Sequence, residues 1–272
     1  MYKGIDVSSI QGVINWQSVV DAGYSFCIMR CGVGNSGIDS NCVKNIAGAK
    51  AVGLKVAVYH FIFPLPANPS QPLRDPVKQS QYHFNAAQGE LACIDCEWPT
   101  PQDFSKWNCS PAQINQWMMA YFQEYTRLGN GRKPLLYTYP YWCEAINLDP
   151  SFIQYPLWIA SYQSTPAVPK PFTDWTLWQA SGGTEKLPNG VPVDIDYAKD
   201  LSLWNTVPVT QQPPEPVQTT VVPDTQPVEQ TPAQPQPSPV AEIPAPPAPL
   251  TPGQPTSNIF TSIFSFISKF FK

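Results

Sequence analysis

Eight short runs of β-branched and aromatic residues recur along residues 1–205, and stretches with helical spacing separate the first five of them. The strand-like runs are 2–7, 25–31, 55–61, 91–97, 134–139, 157–162, 176–180 and 193–197. Helices are expected at 15–22, 40–51, 75–87 and 111–128. Gly23, Gly53, Gly89 and Gly129 stand just past their ends, where a chain leaving a helix favours a residue without a Cβ. Such alternation implies parallel strands, because each helix carries the chain back to the same edge of the sheet. After Tyr139 the helical stretches shorten or vanish, so the last three strands follow by loops. The expected fold is α/β, a distorted, incomplete TIM-like barrel.

Composition marks where this pattern stops. Of 33 prolines, sixteen fall in residues 206–257, a segment with no Lys, Arg, Trp, Tyr or Phe. Its Val, Ala and Pro are too interrupted to form a core, so 206–257 is expected to be a disordered linker. In polyproline conformation, at about 3.1 Å per residue, it could hold its ends up to roughly 150 Å apart. Residues 1–205, with all 9 Trp and all 7 Cys, form one domain large enough to need neither disulfide nor metal.

The last fifteen residues, 258–272, place Ile259, Phe260, Ile263, Phe264, Ile267, Phe270 and Phe271 at helical spacing, with Lys269, Lys272 and hydroxyl residues opposite. An amphipathic helix of this length is roughly 22 Å long, short of the ~30 Å hydrocarbon core. In-plane contact with a membrane or outer envelope is the expectation, with self-association or docking on the domain as alternatives.

Net charge is -4, and no basic patch offers phosphate contacts, so no nucleic-acid partner is expected. The opening Met-Tyr-Lys-Gly-Ile-Asp-Val lacks a basic-then-apolar run, which suggests synthesis in the cytoplasm without a signal peptide. Seven cysteines there read as reduced thiols. Cys93 and Cys96 form a C-x-x-C without a second pair, and the chain has two histidines, His60 and His83, so buried thiols and no metal or cofactor are expected. Tyr-His-Phe occurs twice, at 59–61 and 82–84; the repeat reads as coincidence, since the first ends a strand and the second falls within a helix.

Asp95 and Glu97 stand two apart in the apolar run Leu91-Ala92-Cys93-Ile94-Asp95-Cys96-Glu97. On a strand that spacing puts both on one face, with Ile94 and Cys96 turned to the helices and the acids in the barrel mouth. Buried acids cost stability, and barrel enzymes place their chemistry at that end. Asp6 closes the first strand, while Asp194 and Asp196 lie on the eighth. Closure of the sheet would bring Asp6 beside one of them, near the Asp95/Glu97 pair. Clustered carboxyls repel, so one holds its proton while a partner stays ionised. Glycoside hydrolysis uses such a pair without a metal. Tyr59, Trp98, Tyr137, Tyr139, Trp158, Tyr162 and Trp178 lie near strand ends, where flat rings suit sugars, and Gln179 could offer its amide to an N-acetyl group.

Several of these motifs together resemble one family: Gly4-Ile5-Asp6-Val7-Ser8 with Gln11-Gly12 and Trp16, Tyr59-His60-Phe61, Asp95-x-Glu97, Tyr137-Thr138, Leu157-Trp158-Ile159-Ala160-x-Tyr162, Trp178-Gln179 and Val193-Asp194-x-Asp196. In order and spacing they are similar to glycoside hydrolase family 25, the Chalaropsis-type lysozymes, over residues 2–200. The resemblance implies a (β/α)5β3 barrel that cleaves the β-1,4 bond from N-acetylmuramic acid to N-acetylglucosamine in peptidoglycan. It implies catalytic residues Glu97 as general acid, Asp95 orienting the substrate's 2-acetamido group, and Asp6 and Asp194 in the remaining charge network. Substrate-binding candidates are Tyr59, Trp98, Tyr137, Trp158, Tyr162, Gln179 and Asp196. Two features depart from the family pattern: Asp196 stands where Asn is common, and Cys93 and Cys96 flank the aspartate. Together with the appended tail, the resemblance points to a bacteriophage endolysin that reaches the wall after membrane breach or from outside. The competing readings are an amidase or peptidase using zinc or a Cys-His pair, and a virion or wall-binding module without turnover.

Overall fold

In the computed structural model, residues 1–205 are described; the expected linker (206–257) and terminal amphipathic helix (258–272) lie outside the described residues. The chain runs β1 (Tyr2–Val7), α1 (Trp16–Asp21), β2 (Phe26–Val33), β3 (Gly37–Ile38), α2 (Cys42–Ala51), β4 (Lys55–Phe61), α3 (Pro76–Ala86) and β5 (Leu91–Asp95). It continues with α4 (Pro101–Lys106), α5 (Pro111–Leu128), β6 (Leu135–Thr138), α6 (Pro140–Ala145), β7 (Leu157–Ala160), β8 (Leu177–Lys186) and β9 (Pro192–Ala198).

Local chemistry starts the helices where the sequence analysis places them. Asn15 accepts from the Ser18 amide ahead of α1, and Asp75 accepts from the Val77 and Lys78 amides ahead of α3, whose first residue is Pro76. Ser110 and Gln113 cap the start of α5 reciprocally, with Pro111 where a missing N–H costs nothing. Such caps are worth about 1 kcal/mol each.

Eight strands close into a ring in the order β1-β2-β4-β5-β6-β7-β8-β9 and back to β1, and β3 pairs with β2 outside it. Seven ring strands run parallel, whereas β9 is antiparallel to both β8 and β1. The strand ring is thus complete. What is incomplete is the helical layer, since no α-helix separates β7, β8 and β9 among the described residues. Several expected boundaries move: β2 runs to Val33 rather than 31, β5 ends at Asp95 rather than 97, β7 ends at Ala160 rather than 162, and β8 runs to Lys186 rather than 180. Short helices α4 and α6 and the two-residue β3 had no counterpart in the expected helices and strands.

Strand parity divides the core. Phe26, Ile28, Ala57, Leu91, Cys93, Leu135, Trp158 and Leu177 fill the barrel interior. Ile5, Val7, Cys27, Met29, Val56 and Val58 face outward onto Trp16, Val19, Ile46 and Ala49. Gly4 points inward, where a Cβ would lie 2.3 Å from the Phe26 ring. Phe26 in turn packs 5.1 Å from Trp204, whose Nε1 donates to the Val56 carbonyl and closes the end of the barrel opposite the mouth.

Candidate active site

Asp95 is the next inward-pointing residue after Leu91 and Cys93 on β5, and it is buried at the C-terminal end of the parallel strands. Although strand pairing stops there, the backbone stays tied on both sides: the Ile62 amide donates to the Asp95 carbonyl at 3.1 Å and the Cys96 amide to the Tyr137 carbonyl at 2.9 Å. Glu97 follows one pleat later, partly exposed, and its charge bears on Asp95, Tyr137 and Tyr139. Cys96 turns the other way and is fully buried, whereas Cys93 lies inside the barrel, so the C-x-x-C pair is split between opposite faces of β5. All seven cysteines are free and buried.

Closure of the ring sets Asp6 and Asp194 directly opposite each other on β1 and β9; Asp196 sits one pleat deeper, opposite Gly4. Between β8 and β9 the register slips at Gln179/Ser181 and again at Ser181/Glu185. Gly183 lies in that irregular stretch at φ 68° and donates its backbone N–H to Asp194.

A cation that the sequence reading overlooked completes the mouth. Arg30 follows Phe26 and Ile28 on the inner face of β2, and its side chain meets Asp39 at 3.0 Å and Ser9 Oγ at 3.3 Å. Asp39 is fixed by the Ser9 and Asn41 amides as well. A charged residue at an inward position of an otherwise apolar strand is the signal that could have exposed it.

Burial is the leading influence on every acid here. It pushes Glu97 up to about 7, assisted by the Asp194 charge. It pushes Asp194 up to about 6, against the Gly183 donation. Asp95 is raised by burial and by Glu97 and drawn down by Arg30, while Asp6 is raised by burial and then by Asp194 and Asp196. The Glu97 charge thus raises Asp95, and the Asp194 charge raises Glu97, so a proton on one acid favours an anion on its neighbour.

The aromatic residues divide into walls and supports. Trp98, expected on the substrate surface, is 7% exposed and stacks on Phe63 at 4.3 Å, with the Arg74 guanidinium 5.2 Å from the Phe63 ring, so it is a support, whereas Tyr162 is 50% exposed. Tyr59 is half-buried, with its ring edge-on to Trp158. Trp158 and Asp196 are 1% and 0% exposed and joined by a 2.8 Å bond from Trp158 Nε1 to Asp196 Oδ1. Their expected place on the substrate surface is corrected accordingly, because neither has surface to offer. Gln179, 4% exposed, donates from Nε2 to Asp6 and accepts at Oε1 from the hydroxyls of Tyr137 and Tyr162, each at 3.0 Å. It braces the site instead of presenting a free amide.

Both histidines are fully buried and bond to none of these acids. His60 faces the helical layer, and its ring stacks on that of His83 at 4.8 Å. The two Tyr-His-Phe triplets, read as coincidence, therefore meet in space. Gly34 and Tyr121 hold the two rings, and burial pulls both imidazoles down, His60 to about 3. Neutral imidazoles beneath a helix do not serve a cysteine or a zinc ion at the mouth.

Residues 5–186, about two thirds of the chain, match the family described as Glycosyl hydrolases family 25. The chain belongs to glycosyl hydrolases family 25. This family 25 chain is 29% identical over 207 residues to Lysozyme M1 of Streptomyces globisporus, covering 72% of this chain and 67% of that protein. It is 27% identical over 221 residues to the N,O-diacetylmuramidase of Chalaropsis sp, covering 74% of this chain and 98% of that one. The crystal structure of the bacterial lysozyme from Streptomyces coelicolor superposes with a TM-score of 0.63 at 26% identity, over 73% of this chain and 92% of that one.

Proposed function

We propose that this family 25 chain is a peptidoglycan hydrolase, a lysozyme that cleaves the β-1,4 bond from N-acetylmuramic acid to N-acetylglucosamine. The observation that carries this reading is the pairing of Glu97, held at about 7, with buried Asp95 at the open end of a closed barrel. An acid of that strength is half protonated at neutral pH, which suits proton delivery to a leaving sugar oxygen. Asp95, deeper and flanked by Arg30, orients the 2-acetamido group as it approaches the anomeric carbon. Asp6 and Asp194 supply the negative field that favours positive charge developing on the sugar ring. Tyr162 forms a flat wall along the cleft.

Mass spectrometry of purified peptidoglycan after digestion tests the reading. Muropeptides ending in reducing N-acetylmuramic acid are the expected product. Free amino groups without new reducing ends would replace it with the amidase or peptidase reading, and intact wall would favour a binding module.

A further inference from the structure

Trp158 Nε1 donates to Asp196 Oδ1 at 2.8 Å, and the other oxygen, Oδ2, is buried without an N–H or hydroxyl donor. Asp196 stands opposite Gly4 on β1, one pleat from Asp6, so the two inward-facing carboxyls are neighbours and each bears on the other's proton. Gln179 Nε2 already donates to Asp6 Oδ2 at 2.7 Å. With both acids ionised, two acceptors would face each other in a space closed to water, each side costing several kcal/mol of desolvation. A single proton between them turns the repulsion into a charge-assisted hydrogen bond.

We infer that Asp196 is a positioning residue that shares one proton with Asp6 at neutral pH, so that the pair carries a single negative charge and holds Asp6 in one orientation. The neighbouring ionisable groups agree with this. Asp194 on β9 adds negative charge to both. Tyr59 on β4, Cys93 on β5, Tyr137 on β6 and Tyr162 after β7 are all held neutral by burial. The Arg30 cation on β2 bears on Asp95 and Tyr59 and is tied to Asp39. Orientation then passes outward: Trp158 fixes Asp196, Asp196 fixes Asp6, and Asp6 fixes Gln179, which receives the hydroxyls of Tyr137 and half-exposed Tyr162.

Infrared spectroscopy of the full chain at about pH 9, where Glu97 and Asp194 are ionised, reads the proton directly. The wild type should show a protonated-carboxyl component that is lost in both Asp196→Asn and Asp6→Asn and persists in Asp194→Asn and Asp95→Asn. Folding of Asp196→Asn at pH 7 should take up about one proton fewer than the wild type. Either readout unchanged in Asp196→Asn, or a component lost in Asp194→Asn or Asp95→Asn instead, overturns the inference; Asp6→Asn gives the same reading should Asp196→Asn fail to fold. The pair's part in turnover rests on the lysozyme reading and has its own measurement. Wall hydrolysis should fall about tenfold in Asp196→Ala and recover in Asp196→Asn, whose amide can donate to Asp6. The infrared result stands whichever bond the enzyme cuts, so the two readings can fail separately.

Discussion

Gln179 donates from Nε2 to Asp6 Oδ2 across 2.7 Å, joining β8 to β1 over 173 residues of sequence. Its carbonyl end gathers two phenols, so one buried amide aligns three groups of the site.

Gln179→Ala should therefore strand a carboxyl and two hydroxyls. Leaving a buried polar group without its partner costs about 1–3 kcal/mol. A lower denaturation midpoint together with reduced wall hydrolysis is expected; a variant as stable and active as the wild type would remove the bracing role.

Glu97→Gln keeps the side chain's shape and removes its proton. Turnover on purified wall should drop about a hundredfold or more, with circular dichroism and thermal midpoint close to wild type. The wild-type rate should fall on the alkaline side through about 7, as Glu97 loses its proton, and on the acid side through about 6, as Asp194 gains one. Unchanged lysis by Glu97→Gln would end its assignment as the acid.

Stability should fall as pH rises through the same range. Glu97 and Asp194 bind protons more tightly when folded than in the unfolded chain, where carboxyls titrate at about 4. Their contribution is complete below that value and is lost as pH passes about 6 for Asp194 and about 7 for Glu97. Urea midpoints at about pH 5 and about pH 8 measure it, and the difference should shrink in Glu97→Gln. A midpoint that rises with pH over this interval would contradict the sign.

Gly4→Ala should overpack the barrel, because the added methyl carbon meets the Phe26 ring at 2.3 Å. A loss of about 1–3 kcal/mol is expected, partly relieved when Phe26→Leu is added. Additive single effects in the double variant would show that the clash is not the cause.

Residues 258–272 carry a prediction from their sequence pattern. Deleting them should leave digestion of purified wall intact and weaken killing of whole cells, measured side by side at equal protein concentration. Equal killing would count against an envelope-contact role.

Much of this was readable before any coordinates. The alternation of strand and helix, with glycines past the helix ends, located the first five parallel ring strands and placed Asp95 at their open end. Parity along β5 correctly sent Ile94 and Cys96 away from the barrel interior. What escaped depends on contacts between distant segments. Arg30 looks like an isolated charge until the Asp39 turn folds over it. The His60/His83 stack joins a strand to a helix, which no local period encodes. Trp158 and Asp196 share the residue types of a sugar site, yet closure of the ring sinks them below it. The outer part of β8 was missed because Gly182, Gly183 and the exposed Thr184, Glu185 and Lys186 lack the apolar alternation that marks a half-buried strand.

Because β9 runs against its neighbours, it delivers Asp194 close to its beginning, whereas β1 and β5 deliver Asp6 and Asp95 at or near their ends. The turn at 187–191 is thereby left as a brim beside the cleft, outside the eight-strand ring. Leu187 and Val191 anchor its ends in the outer core, but the exposed residues 188–190 between them can vary without resetting the register of Asp6 and Asp194, which makes them a natural graft point for retuning which wall polymers gain entry.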